Sequence, residues 1–180
     1  MTVWQELGPG VFRRKYDALR FNVGAVIGGE GVMVIDSRSS PKQAQEIISD
    51  LKELTNLPVT AVVNTHYHWD HAWGNSEFPG IPIWGHDECA NVMRGVTQRE
   101  IEETAKSFGL GDELDGLQIV PPDRVFPDSA SVDLGGRTVY LKYLGLAHTN
   151  SDIVIDVPAA NVIFGGDIIE EGAPPWYGDS

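Results

Sequence analysis

Residues 64–71 read NTHYHWDH, placing His66, His68, Asp70 and His71 within six positions, although the chain has only five histidines. Neutral imidazole and carboxylate are the donors that zinc, iron and manganese accept. In the pattern H-x-H-x-D-H the first two histidines can close on one ion, while the aspartate and the last histidine can turn toward a second. A polar surface turn is a poor account of such clustering. Two further stretches offer donors. Leu146-Ala147-His148-Thr149 and Phe164-Gly165-Gly166-Asp167 each end a strand-like run. Alone, His148 would be a structural imidazole and Asp167 a turn carboxylate; with the first cluster they compose a metal-ligand set. Cys89 is the only cysteine, so an internal disulfide and a cysteine-based zinc cluster are both excluded. Its neighbours Asp87 and Glu88 disfavour a thiolate, and an inert thiol is expected.

These donors need elements to hold them. Phe21 to Ile27 and Val32 to Ile35 are apolar runs flanking Gly28-Gly29-Glu30-Gly31, a hairpin turn in which glycine is expected to supply positive φ. A phosphate-cradling loop is disfavoured, because VMVID after the glycines is strand-like and no helix pattern follows. Ser40 reads as an N-cap, Pro41 as the first helical residue, and Ala44, Ile47, Ile48, Leu51 and Leu54 as the apolar stripe of a helix. Val59 to Val63 is then a buried strand. The histidine cluster begins where that strand ends, the usual place for sites in α/β sheets. Residues 81–86 predict another strand and Glu88 to Lys106 a helix. Residues 108–128, rich in glycine and proline, read as a loop or flap. Strands follow at Thr138 to Leu144, Asp152 to Val157 and Asn161 to Phe164. Trp69, Trp73 and Trp84 are expected in core packing, with pocket-lining as the alternative.

Composition narrows the function. A chain of 180 residues, 42% hydrophobic and 22% charged, is an ordinary globular domain. With 13 Lys+Arg against 26 Asp+Glu, its formal charge of −13 repels phosphate backbones and anionic lipid. No nucleic-acid or membrane partner is expected. No apolar run has the length of a secretory core or a membrane span, which predicts a cytoplasmic protein.

The set THYHWDH, AHTNSD and FGGD resembles the metallo-β-lactamase superfamily, and the likeness extends from the N-terminal hairpin to GGDIIEEGAPP. The resemblance implies an α+β fold, a four-layer αβ/βα sandwich with its second half incomplete, formed by residues 1–180 as a single domain. It also implies a dinuclear site at one edge between the two sheets. By matching position, His66, His68 and His148 would hold the first metal, Asp70 and His71 the second, and Asp167 would bridge both. The family normally continues to a final histidine on the second metal. Here the sequence stops at Tyr177-Gly178-Asp179-Ser180, and His86 precedes His148, so it is expected to be a surface or packing residue. A C-terminally incomplete member is therefore expected.

The implied activity is metal-dependent hydrolysis of an ester, thioester, lactone or related bond in a small molecule. Two zinc ions would activate water in the complete site, with iron or manganese as alternatives, and Asp70 would orient that water and move its proton. His71 and Asp167 resemble the pattern of glyoxalase-II-like and lactonase-like hydrolases. Zinc β-lactamases with a cysteine ligand place it late in the chain, where this sequence has none. One alternative is an iron oxygenase resembling persulfide dioxygenases, using His66, His148 and Asp167. Another is a non-catalytic metal-binding fragment. Oligomeric state is left open.

Overall fold

The computed structural model describes residues 3–16, 21–170, 172 and 174. The closing Tyr177-Gly178-Asp179-Ser180 of the sequence lies outside them, as do three residues of GGDIIEEGAPP. The first four strands, β1 (Trp4–Gly8), β2 (Val11–Lys15), β3 (Asn22–Ile27) and β4 (Val32–Ile35), form an antiparallel meander. A longer connection then carries helix α1 (Pro41–Leu51), and β5 (Val59–Val63) pairs parallel to β4. Strand direction changes here because a helical crossover, unlike a tight turn, returns the chain to the same end of the sheet. Strands β6 (Ile83–His86) and β7 (Arg124–Phe126) continue in parallel, completing a seven-stranded sheet in sequence order. Between β5 and β7 lie the one-turn helix α2 (Trp69–Ala72), α3 (Asp87–Gly95) and α4 (Gln98–Phe108). A second, antiparallel sheet holds β8 (Ser129–Asp133), β9 (Thr138–Tyr143), β10 (Ile153–Val157) and β11 (Val162–Phe164), in the order β11-β10-β9-β8.

The two sheets face one another across Val26, Met33, Ile35, Ala61 and Val63 on one side and Val139, Leu141, Ile153 and Ile155 on the other. Alternation sends Val23, Ala25, Val32, Val34 and Val62 to the opposite face of the first sheet, where Ala44, Ile47 and Leu51 of α1 cover them. This is the expected sandwich. Among the described residues only single-turn helices follow β8, so no helix covers the outer face of the second sheet. Nor is any described helix long and apolar enough to cross a membrane.

Helix α1 begins as its sequence predicts, with the Ser40 hydroxyl accepting from the Gln43 amide at 3.2 Å and Pro41 in the first turn. The helix expected over 88–106 is instead two. Val96 is extended, and Thr97 caps a new helix in a capping box. The Thr97 Oγ1 accepts from the Glu100 amide at 3.3 Å, and the Glu100 carboxylate accepts from the Thr97 amide at 2.6 Å. The two helices bury their apolar residues in different places, Cys89 and Met93 against Ala72, and Ile101 against Trp73 and Leu114. Strands β7 and β8 were not legible as strands, and the 108–128 tract contains β7 together with one 3-10 turn.

The turn at 28–31 also departs from expectation. None of its three glycines has positive φ. They are there for space. A Cβ on Gly28 would lie 2.1 Å from the Leu134 carbonyl oxygen, one on Gly29 2.5 Å from that of Gly135, and one on Gly31 2.2 Å from Thr60 Oγ1. The Gly29 and Glu30 amides donate to the Gly135 and Leu134 carbonyls at 3.1 and 2.9 Å, so this turn seals one end of the two-sheet core.

Candidate metal centre

Parallel pairing brings the C-terminal ends of β4 and β5 side by side, and the residues that follow them build the site. After β4 comes Asp36, 2% exposed; after β5 come Asn64, Thr65 and His66, all buried. The Asp36 amide donates to the Val63 carbonyl at 2.8 Å, continuing the ladder one step beyond the strand. The chain then turns through α2, in which Asp70 and His71 sit in a single helical turn. Buried amides brace that turn: Asn75 Nδ2 donates to Asn64 Oδ1 at 2.8 Å, and Ser37 Oγ donates to Asn75 Oδ1 at 2.8 Å. Every polar atom so fixed lowers the freedom of the loop that carries the histidines.

Two overlapping donor sets result. His66, His68 and His148 form one, and His66, His71 and Asp167 the other; within each, the donor atoms lie within 4.8 Å of one another. His148 Nε2 is 3.0 Å from His68 Nδ1. Asp167 stands between the sets, with Oδ1 3.3 Å from His71 Nε2 and Oδ2 3.8 Å from His148 Nε2. Asp70 belongs to neither compact set, its Oδ2 being 3.7 Å from His71 Nε2. All six residues singled out in the sequence thus converge on one place, although His68 and His148 are 80 residues apart.

The hydrogen bonds behind the histidines decide which nitrogen faces the centre. Thr65 Oγ1 donates to Asp36 Oδ2 at 2.9 Å, which leaves its lone pairs for His66 Nδ1–H at 3.0 Å. His71 Nδ1 donates to Asp36 Oδ2 at 2.9 Å. With its Nδ1 acting as donor, the neutral His66 ring turns a bare Nε2 lone pair inward, buried and met by no hydrogen-bond donor among the described residues. His71, its Nδ1 likewise bound, points its buried Nε2 at Asp167 Oδ1, 3.3 Å away. Inward-facing lone pairs and a carboxylate, without a donor to receive them, are costly unless a cation or a proton is shared between them. The donor set therefore fits a divalent transition metal.

Titration separates the two rings. Burial and the neighbouring imidazoles hold the His66 pKa well below its usual value, so this ring is neutral and ready to ligate. Burial also disfavours charge on His71, yet Asp36, Asp70 and Asp167 outweigh it and raise its pKa well above the ordinary range. Burial pushes Asp167 upward, but the His71 bond and charge prevail and lower it. Without a metal, a proton on His71 thus offsets part of the carboxylate charge.

Backbone geometry seats Asp167. Gly166 has φ +53°, and a Cβ there would lie 2.8 Å from the Thr65 Cβ, so glycine lets the β11 loop press against the end of β5. Phe21 closes another side, its ring edge-on to His71 at 4.5 Å. The remaining histidine, His86, is a packing residue as expected: 5% exposed, stacked on Tyr143 at 4.0 Å, with Nε2 2.9 Å from the Pro127 carbonyl. Cys89 is fully buried and its thiol is held far above its usual pKa by that burial, hence inert. Trp73 and Trp84 pack in the core, whereas Trp69 lines a cavity beside Asp70. Sequence reasoning assigned no role to Asp36 or Thr65. The available signal was position, since Asp36 ends a strand just as Thr65 does.

Comparison with known proteins places this geometry in context. A family model described as "Metallo-beta-lactamase superfamily" matches residues 18–179. The chain is 25% identical over 154 residues to "Metallo-beta-lactamase type 2" of Bacteroides fragilis, covering 86% of this chain and 54% of that protein. It is 27% identical over 144 residues to "Metallo-beta-lactamase IND-1" of Chryseobacterium indologenes, covering 80% and 52%. The chain thus spans about half the length of these curated relatives. Among solved structures, the metallo-β-lactamase from Pontibacter korlensis superposes with a TM-score of 0.70 at 19% identity, covering 98% of this chain and 76% of that one. The one from Hirschia baltica gives 0.68 at 22% identity, covering 98% and 75%. At such identities the structural likeness speaks to the fold.

Proposed function

The chain belongs to the metallo-β-lactamase superfamily, and from that premise we propose that it is the metal-binding core of a zinc-dependent hydrolase acting on an ester, thioester, lactone or amide bond in a small molecule. The observation that carries the reading is the convergence of two donor sets, His66, His68, His148 and His66, His71, Asp167, each within 4.8 Å, around a buried His66 Nε2 that no described donor meets. His66, His68 and His148 would hold one cation, and His71, Asp70 and the shared Asp167 a second. A bound divalent cation lowers the pKa of water toward neutrality and polarises a carbonyl oxygen.

The chain's own residues do the rest. Asp36 and Thr65 hold the His66 and His71 rings so that their lone pairs keep one direction. Asp70, with a side chain 19% exposed, faces the open groove over the site and can accept and pass on a proton there. Phe21 and Ile35 line the same groove and limit water around the donors. We assign Asp70 as the proton-handling residue because, of the candidate carboxylates, Asp36 is engaged by three donors behind the histidines and Asp167 lies between the two donor sets.

The test is loading of metal-free protein with zinc, then elemental analysis and a substrate panel of aryl esters, thioesters, lactones and a chromogenic cephalosporin. Zinc binding that His66→Ala and His148→Ala each abolish, with turnover on at least one class, is the expected result. Wild-type metal content in both variants would sink the ligand assignment. Failure of every class, with zinc bound, would sink the hydrolase reading. In the oxygenase alternative His66, His148 and Asp167 would supply a two-histidine, one-carboxylate face, which an iron-loaded sample with a persulfide substrate tests.

A further inference from the structure

Beside the candidate centre lies a cavity of about 200 Å³, walled by Tyr16, Phe21, Trp69, Phe108 and Leu110, with Asp70 at its inner boundary. Phe21 and Asp70 also line the groove over the metal-ligand candidates, so these two residues stand between the two spaces. Resting on the hydrolase reading, we propose that this cavity is a specificity subsite for an uncharged apolar acyl chain or ring attached to the scissile carbonyl.

The walls are aromatic because of how two helices end. Trp69 opens α2 immediately before Asp70, so whatever touches its indole is one residue from the candidate proton-handling group. Helix α4 stops at Phe108, where Gly109 adopts φ +66° and the Leu110 amide returns to the Ala105 carbonyl at 2.9 Å. That reversal brings Phe108 to 4.4 Å from the Trp69 ring and leaves it 54% exposed. A large aromatic half in water, packed against another aromatic at a cavity rim, is the kind of surface that a ligand completes.

Arg38 also lines the cavity and would suggest an anionic ligand were its charge free. It is already engaged. Its Nη1 donates to the Gln43 carbonyl at 3.2 Å and to Glu46 Oε2 at 2.6 Å, and its guanidinium lies 3.6 Å above the Tyr16 ring. An anion would in addition meet Asp70 at the inner end and approach a chain of formal charge −13. A neutral apolar group has no such opposition. An apolar cavity of about 150 Å³ is enough to take a benzene ring, so the space here admits one ring or a short acyl chain.

The experiment has two arms. In the first, zinc-loaded protein is assayed on 4-nitrophenyl acetate, butyrate and hexanoate. kcat/KM should rise by about fourfold per added methylene until the cavity is full, and Phe108→Ala should flatten that dependence. Phe108→Leu, which restores apolar bulk, should recover part of it, as a merely structural role would not require. In the second arm, metal-free protein is titrated with benzyl alcohol and separately with benzoate while the Trp69 indole N–H resonance is followed. A saturable shift with benzyl alcohol, weaker with benzoate and lost in Phe108→Ala, supports the subsite even if no ester is turned over, in which case only the hydrolase reading falls. Turnover independent of chain length, or a Trp69 resonance unmoved by benzyl alcohol, overturns the subsite while leaving hydrolysis intact.

Discussion

Asp36→Asn is the substitution that most directly tests how the candidate centre is wired. The aspartate accepts three hydrogen bonds: from the Thr65 amide at 2.8 Å, from Thr65 Oγ1 at 2.9 Å and from His71 Nδ1 at 2.9 Å. Asparagine is nearly isosteric and tolerates the left-handed backbone found there, φ +64°, so the fold should survive. Its amide, however, offers one acceptor oxygen and one donor nitrogen where three donors converge. If the oxygen keeps the Thr65 amide, the nitrogen meets Thr65 Oγ1 and His71 Nδ1, both on the side of Oδ2. His71 can relieve the donor–donor clash only by moving its proton from Nδ1 to Nε2. That places a hydrogen on the atom aimed at the metal.

The magnitude follows. Loss of an outer partner of a metal-bound imidazole costs about 10–100-fold in affinity, or about 1.4–2.8 kcal/mol at ~1.4 kcal/mol per tenfold. The loss should fall on the site that uses His71, with the His66, His68 and His148 site reduced less, because the Thr65 bond to His66 is disturbed only indirectly. Zinc titration against a competing chromophoric chelator reads both constants, with circular dichroism confirming the fold. If a folded Asp36→Asn protein bound both ions within about threefold of wild type, the proposed tautomer control would be wrong.

Other expectations follow from the same geometry. Gly166→Ala should weaken zinc at the His71 and Asp167 set by about tenfold or more, since its Cβ would meet Thr65 at 2.8 Å at a positive φ; unchanged affinity by calorimetry would show that the loop yields without moving Asp167. Thr97→Ala removes the α4 capping box and should cost ~0.5–2 kcal/mol, lowering Tm by a few degrees in thermal melts while leaving zinc affinity intact. Because nearby carboxylates raise the His71 pKa, its proton stabilises the metal-free fold below the unfolded value of about 6.5, and that contribution is lost as pH rises through the folded pKa. A cation competes with the proton, so zinc affinity at this set should strengthen from about pH 6 to about pH 8 by more than in a His71→Ala control.

How much of this could be read from the chain depended on whether a residue's role is local. His66, His68, Asp70 and His71 were legible because a single loop carries them, and ligand spacing within a loop is a sequence property. His148 and Asp167 were legible only as the ends of apolar runs that the first cluster gave meaning to. Asp36 was not, because its role exists only once β4 and β5 lie parallel and bring their ends together. Phe108 was hidden for a related reason. The apolar period from Val92 to Ala105 continues across the break at Val96 and Thr97, and the cap signal Thr97-x-x-Glu100 was masked by that continuity. The glycines at 28, 29 and 31 were assigned to the correct turn for a different physical reason, since what crowds them, Leu134 and Gly135 for the first two and Thr60 for the third, is distant in sequence.

The turn after β4 joins the candidate metal centre to the neighbouring cavity. Asp36 and Arg38 both adopt left-handed backbone, φ +64° and +67°, without being glycine, at a cost of about 1–3 kcal/mol each. Such a conformation persists only when its surroundings over-determine it. Here they do: the Ser37 amide donates to the His71 carbonyl at 2.7 Å, the Gly74 amide donates to the Arg38 carbonyl at 2.9 Å, and each flanking side chain is held by at least two partners. The two residues, separated only by Ser37 in a strained turn, send their side chains to opposite destinations. Asp36 goes behind the histidines and Arg38 to the cavity wall over Tyr16. The Ser37 amide bond also ties the turn to the backbone of His71, while Asp36 holds that residue's ring. One turn thus fixes both the backbone of His71, through the Ser37 amide, and its ring, through Asp36, while its other end forms the cavity wall.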